Sequence, residues 1–199
     1  MQSKGLISAL LLVGCTHVVF PQDKGENNGQ SLALTVQKLQ KGFKPARPLR
    51  VWALGEPSIE SLGNGSILRQ NLITRFPHCP KIELKTKTVK DASWKVLNQW
   101  ITMNVLHDHP DLVILYATGK PNELDSLLTK IRTHSTADIL VPSIHWRMID
   151  GGNWGKIENA VDQDIDVLRE TCRRHGAEFV ENRKIWGEHL REKKQTIDK

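Results

Sequence analysis

The feature that most constrains this chain is a regular alternation, from residue 50 onward, of short apolar runs with stretches whose apolar residues recur at helical spacing. Short continuous apolar runs read as strands buried on both faces, and spacings of three and four read as amphipathic helices. The candidate strands are Arg50–Leu54, Lys81–Lys85, Leu112–Tyr116, Asp138–Ile144 and Glu178–Val180. Between them, helix faces are marked by Leu68, Leu72, Ile73 and Phe76, by Trp94, Leu97, Ile101 and Val105, by Leu124, Leu127, Leu128 and Ile131, and by Val161, Ile165, Leu168 and Cys172. Gly176 behind Arg173, Arg174 and His175 is a helix stop, with cations at the negative end of the dipole. Strand–helix units in series predict a parallel, flavodoxin-like sheet of about five strands with helices on both faces, a three-layer αβα sandwich. Right-handed crossovers bring the C-terminal ends of all strands to one edge, so a site is expected in the loops that follow the strands.

Ahead of this domain, Lys4 and the apolar run Leu6 to Val13 form a secretory signal, too short to span a bilayer. The run ends in Leu12-Val13-Gly14-Cys15, which looks like a bacterial lipobox. It implies lipidation of Cys15 and an exported, membrane-anchored lipoprotein of the bacterial cell envelope that meets the membrane only through its lipid. The other reading is a plain secretory peptide with a chance cysteine. Residues 1–14 are then the signal peptide, 15–48 a polar tether with one weak helical stretch near Leu32 to Leu39, and 49–199 the domain. Lys38, Lys41, Lys44, Arg47 and Arg50, broken by Pro45 and Pro48, read as a solvated linker. The overall charge of +6, from 28 Lys and Arg against 22 Asp and Glu, is spread thinly and aromatics are only 6%, which speaks against a nucleic-acid binder. Export leaves two readings for Cys79 and Cys172, a disulfide or two separate core residues.

Three loops after the strands hold the residues of interest: Gly55-Glu56-Pro57-Ser58-Ile59, Gly119-Lys120-Pro121-Asn122-Glu123 and Ser143-Ile144-His145-Trp146. The run Pro110 to Tyr116 is followed by a Gly-x-x-Asn loop, and Leu168 to Leu190 reads as helix, strand and helix. From Arg50 to its end the chain resembles the SGNH, or GDSL-type, hydrolases. In that family a Gly-Asp-Ser after the first strand carries the nucleophile. A Gly-x-Asn-Asp after the third helps bind the oxyanion, and a C-terminal Asp-x-x-His completes the triad. The resemblance implies an αβα sandwich of SGNH type that hydrolyses a carbohydrate ester or another small acyl ester, without metal or organic cofactor. It makes Ser58 the nucleophile, gives Gly119 and Asn122 to the oxyanion, and leaves His145 as the imidazole best placed to serve as base.

The departures from the family pattern are specific. Ser58 stands one residue later than the family serine, whose place is taken by Pro57, and Asn122 is shifted in the same way. Thr88 to Ser93 holds no counterpart of the glycine expected after the second strand, and no Asp-x-x-His precedes Lys199. These departures predict a chain cut before its C-terminal block and weak or inactive as given. The alternative is a catalytically incompetent SGNH-like domain that binds glycans or a protein.

Each candidate also has a local role. Ser58 fits a turn after Pro57, Ser66 a helix N-cap, and Asn122 with Asp125 a capping box. Gly63-Asn64-Gly65 lies too far from its strand for a dinucleotide loop. His107-Asp108-His109 lacks a third metal ligand at helical spacing and reads as a solvated loop.

Overall fold

The computed structural model describes residues 30–42, 46–143 and 165–182. Its strands are β1 (Leu49–Gly55), β2 (Ile82–Thr88), β3 (Leu112–Tyr116), β4 (Asp138–Pro142) and β5 (Glu178–Val180). All pair in parallel in the order β2-β1-β3-β4-β5. The helices are α1 (Ala33–Lys41), α2 (Ser66–Ile73), α3 (Trp94–Asn104), α4 (Pro121–His134) and α5 (residues 165–174).

Alternation along β3 shows how the sheet builds two cores. Leu112, Ile114 and Tyr116 face one side, where they join Leu32, just ahead of α1, Leu39 of α1, and Leu68 and Leu72 of α2. Val113 and Leu115 face the other, with Leu97 and Ile101 of α3, Leu127 and Ile131 of α4 and Cys172 of α5. The result is the three-layer αβα sandwich expected. Cys79 belongs to the first core and Cys172 to the second, so the sheet lies between two free thiols and the disulfide reading falls.

The first domain boundary also needs correction. Packing begins at Gln30, not at residue 49: a 3-10 turn, Gln30–Leu32, leads into α1, and Leu32 and Leu39 are fully buried. Each such leucine contributes ~1.5–3 kcal/mol of transfer free energy. Polar anchors fix the same segment to the strand starts. The Ser31 N–H donates to Glu178 at 3.1 Å and the Thr35 N–H to Asp138 at 2.5 Å. Lys38 pairs with Asp111 at 2.5 Å, and Arg47 reaches both oxygens of the same carboxylate at 2.8 and 2.9 Å. Lys38 and Arg47 are therefore clasp residues rather than members of a solvated linker. Residues 1–29 lie outside the described residues, Cys15 and the signal peptide with them.

Three strands differ from expectation at their ends, and β1 is the least altered, one residue longer at each end. β2 runs on to Thr88 because every residue of it pairs with β1, from Leu49↔Ile82 to Gly55↔Thr88. β4 ends at Pro142, a residue with no N–H to offer the ladder.

Candidate active site at the strand C-termini

The strand order reverses between β1 and β3, and at such a point the loops diverge and leave a crevice. Gly55 stands there with φ +142°. A Cβ on it would lie 1.7 Å from the Tyr116 carbonyl oxygen, so only glycine lets the two strands stay paired to their ends. The Glu56 N–H donates to that carbonyl at 2.9 Å, and the Val89 N–H donates to the Gly55 carbonyl at 2.9 Å.

Beyond Glu56 the chain enters a 3-10 turn, Pro57–Leu62, opened by Pro57 whose fixed φ suits a first helical position. Ile59 and Leu62 are buried under it, and Thr88 Oγ1 donates to Glu60 Oε1 at 3.0 Å, tying the turn to the end of β2. The Ser58 backbone thus sits on the expected edge, in a turn held from below and from the side.

The loops after β2 and β3 are laced together. The Thr118 N–H donates to the Ala92 carbonyl at 3.2 Å, and the Trp94 N–H to the Thr118 carbonyl at 2.9 Å. No glycine serves the loop after β2; Asp91 takes its positive φ of 51° instead, a conformation that aspartate tolerates better than most residues. Gly119 follows with φ +144°. A Cβ there would meet Glu123 Oε2 at 2.6 Å and Trp94 Cδ1 at 2.8 Å.

Asn122 does not cap α4. Pro121 takes the first helical position, which moves the cap back to Lys120, whose N–H donates to Glu123 Oε2 at 3.2 Å. Asn122 is left exposed on the first turn, and its carbonyl accepts from Ser126 Oγ. Ser66 likewise begins α2 instead of capping it: the cap position is Gly65, and the Asn64 side chain accepts the Ser66 N–H at 3.1 Å. Ser58, Gly119 and Asn122 therefore share the C-terminal edge, on adjacent strands. His145 lies outside the described residues.

The described histidines do not supply a base. His78 precedes β2, His107 and His109 precede β3, His134 is the last residue of α4 and His175 follows α5, so their backbones lie toward the opposite edge. His175 is bound to Asp125 at 2.8 Å, an acid–imidazole pair that joins the end of α5 to α4. Among the described residues no group of three or more His, Cys, Asp or Glu could hold a metal ion, and no helix is long and apolar enough to cross a membrane.

A parallel sheet in this order with helices on both faces defines a three-layer αβα sandwich with a flavodoxin-like strand order. Among solved structures, Axe2, an acetylxylan esterase from Geobacillus stearothermophilus, matches with a TM-score of 0.56 and 15% identity, over 77% of this chain and 82% of that one. LAE5, described as an alpha/beta hydrolase enzyme from the metagenome of Lake Arreo, matches with a TM-score of 0.54 and 16% identity, over 71% of this chain and 80% of that one. No family model matches the chain, and no curated protein matches it in sequence. At these identities the likeness is one of fold.

Proposed function

We propose that the chain is an ester hydrolase acting on a carbohydrate ester or another small acyl ester. The observation that carries this reading is the convergence of the β1 and β3 loops, with Ser58, Gly119 and Asn122, on the reversal point of a fold shared with an acetylxylan esterase. In this mechanism Ser58 Oγ attacks the acyl carbonyl carbon while an imidazole takes its proton; the C–O bond to the alcohol breaks as that proton is returned to the leaving oxygen. Water then repeats the sequence on the acyl-serine and releases the acid. His145 is the proposed base, a role commonly contributing ~10²–10⁴-fold. The Gly119 N–H donates to none of the described residues and, with the Asn122 amide, is the proposed oxyanion donor. Neither metal nor organic cofactor enters these steps. Processing at Cys15 and a lipid anchor in the bacterial cell envelope belong to the same proposal.

One observation favours the second reading, a binding module without turnover. The Glu123 carboxylate lies against Gly119, where an oxyanion would gather, and like charges repel. Hydrolysis of a chromogenic acetyl ester, with Ser58→Ala as control, separates the two: turnover lost in the variant supports the enzyme, and no turnover in either supports the binding module.

A further inference from the structure

The turn at Gly119 is gripped from two sides. With a φ of +144°, the space that a Cβ would fill is closed by Glu123 Oε2 at 2.6 Å and Trp94 Cδ1 at 2.8 Å. The Trp94 ring is buried and its Nε1 finds no partner among the described residues, so on that side packing does the holding. Glu123 is bonded as well as packed: Oε2 accepts the Lys120 N–H at 3.2 Å, and the Glu123 N–H donates to the Lys120 carbonyl at 3.0 Å. On the other side of Gly119, the Thr118 carbonyl accepts the Trp94 N–H at 2.9 Å. That carbonyl shares a peptide plane with the Gly119 N–H, so holding the one aims the other. Both planes that meet at Gly119 are therefore fixed, and a fixed donor needs no reorganisation as negative charge develops.

The side chain that does half of this holding also carries a charge of the wrong sign. From 2.6 Å at the Cβ position, two covalent bonds further put the carboxylate within about 6 Å of the Gly119 nitrogen. In a partly screened site a unit charge at that range changes the stability of a second charge by roughly tenfold or more. Holding the turn requires only an oxygen acceptor; weakening an anion requires the charge.

We propose that Glu123 is a positioning residue for the Gly119 N–H, and that its charge weakens the hold of that N–H on an anion and so restrains the rate of the same site. The proposal rests on the hydrolase reading: the carboxylate slows the reaction and does not abolish it. Glu123→Gln keeps an acceptor for the Lys120 N–H, since glutamate and glutamine both close a capping box, and removes the charge. Glu123→Ala removes both. A residue that only holds the fold loses activity on replacement and has no reason to gain it.

The test has two arms on the full chain, after melting temperatures show which variants fold; Glu123→Gln decides by itself should Glu123→Ala fail to. In the first arm sodium acetate is titrated while the Gly119 amide is followed by NMR, a probe that needs no catalysis. Glu123→Gln should bind acetate roughly tenfold more tightly than wild type, or better, and more tightly than Glu123→Ala, whose turn is no longer held. Equal affinity in wild type and Glu123→Gln, or a Gly119 amide that acetate leaves unmoved in both, overturns the proposal. In the second arm kcat and KM are measured on a chromogenic acetyl ester. Because the uncharged ester meets the charge only as it becomes an oxyanion, Glu123→Gln should raise kcat severalfold with KM nearly unchanged. A Glu123→Gln kcat at or below that of wild type overturns the restraint and leaves hydrolysis standing. No turnover in any of the three proteins, with acetate still preferring Glu123→Gln, upholds the anion site at Gly119 and removes the hydrolase reading.

Discussion

The two edges of the sheet are built in opposite ways. At the N-terminal edge, the acids Asp111, Asp138 and Glu178, at the starts of three adjacent strands, clamp α1 and the turn before it through donors 73, 103 and 147 residues away in sequence. At the C-terminal edge the chain turns on glycines: Gly55 and Gly119 sit where a side chain would collide with Tyr116 or with Glu123 and Trp94. Buried, bonded charge fixes the first edge, and close approach of backbone shapes the second. Stability and the proposed chemistry therefore separate by edge, and substitutions should sort accordingly.

The largest effect expected is at the C-terminal edge, where the backbone itself would have to move. Gly55→Ala should cost ~3 kcal/mol or more, because its Cβ would overlap the Tyr116 carbonyl and its φ is one that alanine rarely adopts. Urea unfolding measures this; a loss under ~1 kcal/mol would show that β1 and β3 part easily at their ends.

Asp111→Ala should come next, at ~3 kcal/mol, since it leaves Lys38, Arg47 and the Arg50 N–H without their common acceptor. Its pH dependence carries a sign. Burial pushes the Asp111 carboxyl up, and the bonds from Arg47, Lys38 and the Arg50 N–H outweigh burial, so its net position is below the usual carboxylate range. A lowered folded value means that its contribution is present above the unfolded value near ~4 and is lost as pH falls through the folded one. Asp138 runs the other way: burial raises it despite the Thr35 bonds, so its stabilising effect is present below ~4 and declines as pH rises through its folded value. Urea titrations from pH 7 to 2 should show wild type losing an acid-sensitive component that Asp111→Ala lacks. Parallel profiles would remove Asp111 from the clasp.

The smallest effect is chemical. Burial first, and Glu178 second, push the Cys172 thiol up to about 12, and burial raises the Cys79 thiol against the pull of Arg69. Both should resist a thiol reagent in the folded protein and react on unfolding. Rapid labelling of Cys172 under native conditions would mean that α5 opens on its own.

How much of this was legible in sequence follows the same division. β3 and β5 are read to the residue, because Leu112–Tyr116 is an unbroken apolar run of the kind a strand buried on both faces requires, and because Gly176-Ala177 punctuates the turn into Glu178–Val180. The end of β2 was hidden: Thr86, Lys87 and Thr88 are polar residues of an edge strand, paired on one side only. The clasp was hidden more deeply, because a lysine on a weakly amphipathic helix betrays nothing of a carboxylate 73 residues on. At the site, the edge shared by Ser58, Gly119 and Asn122 follows from topology alone. The place of Asn122 does not, since one proline decides whether it caps the helix or rides on its first turn.

The account's central claim is that the C-terminal edge is a serine esterase site, and acyl-enzyme trapping tests it most directly. The full chain is mixed with a chromogenic acetyl ester, the reaction is quenched, and intact mass and peptide mapping locate any acetyl group. The account predicts an acetyl adduct on Ser58 and a fall in kcat/KM of ~10³-fold or more in Ser58→Ala. Turnover that survives Ser58→Ala undiminished, or an adduct on another residue, would contradict it.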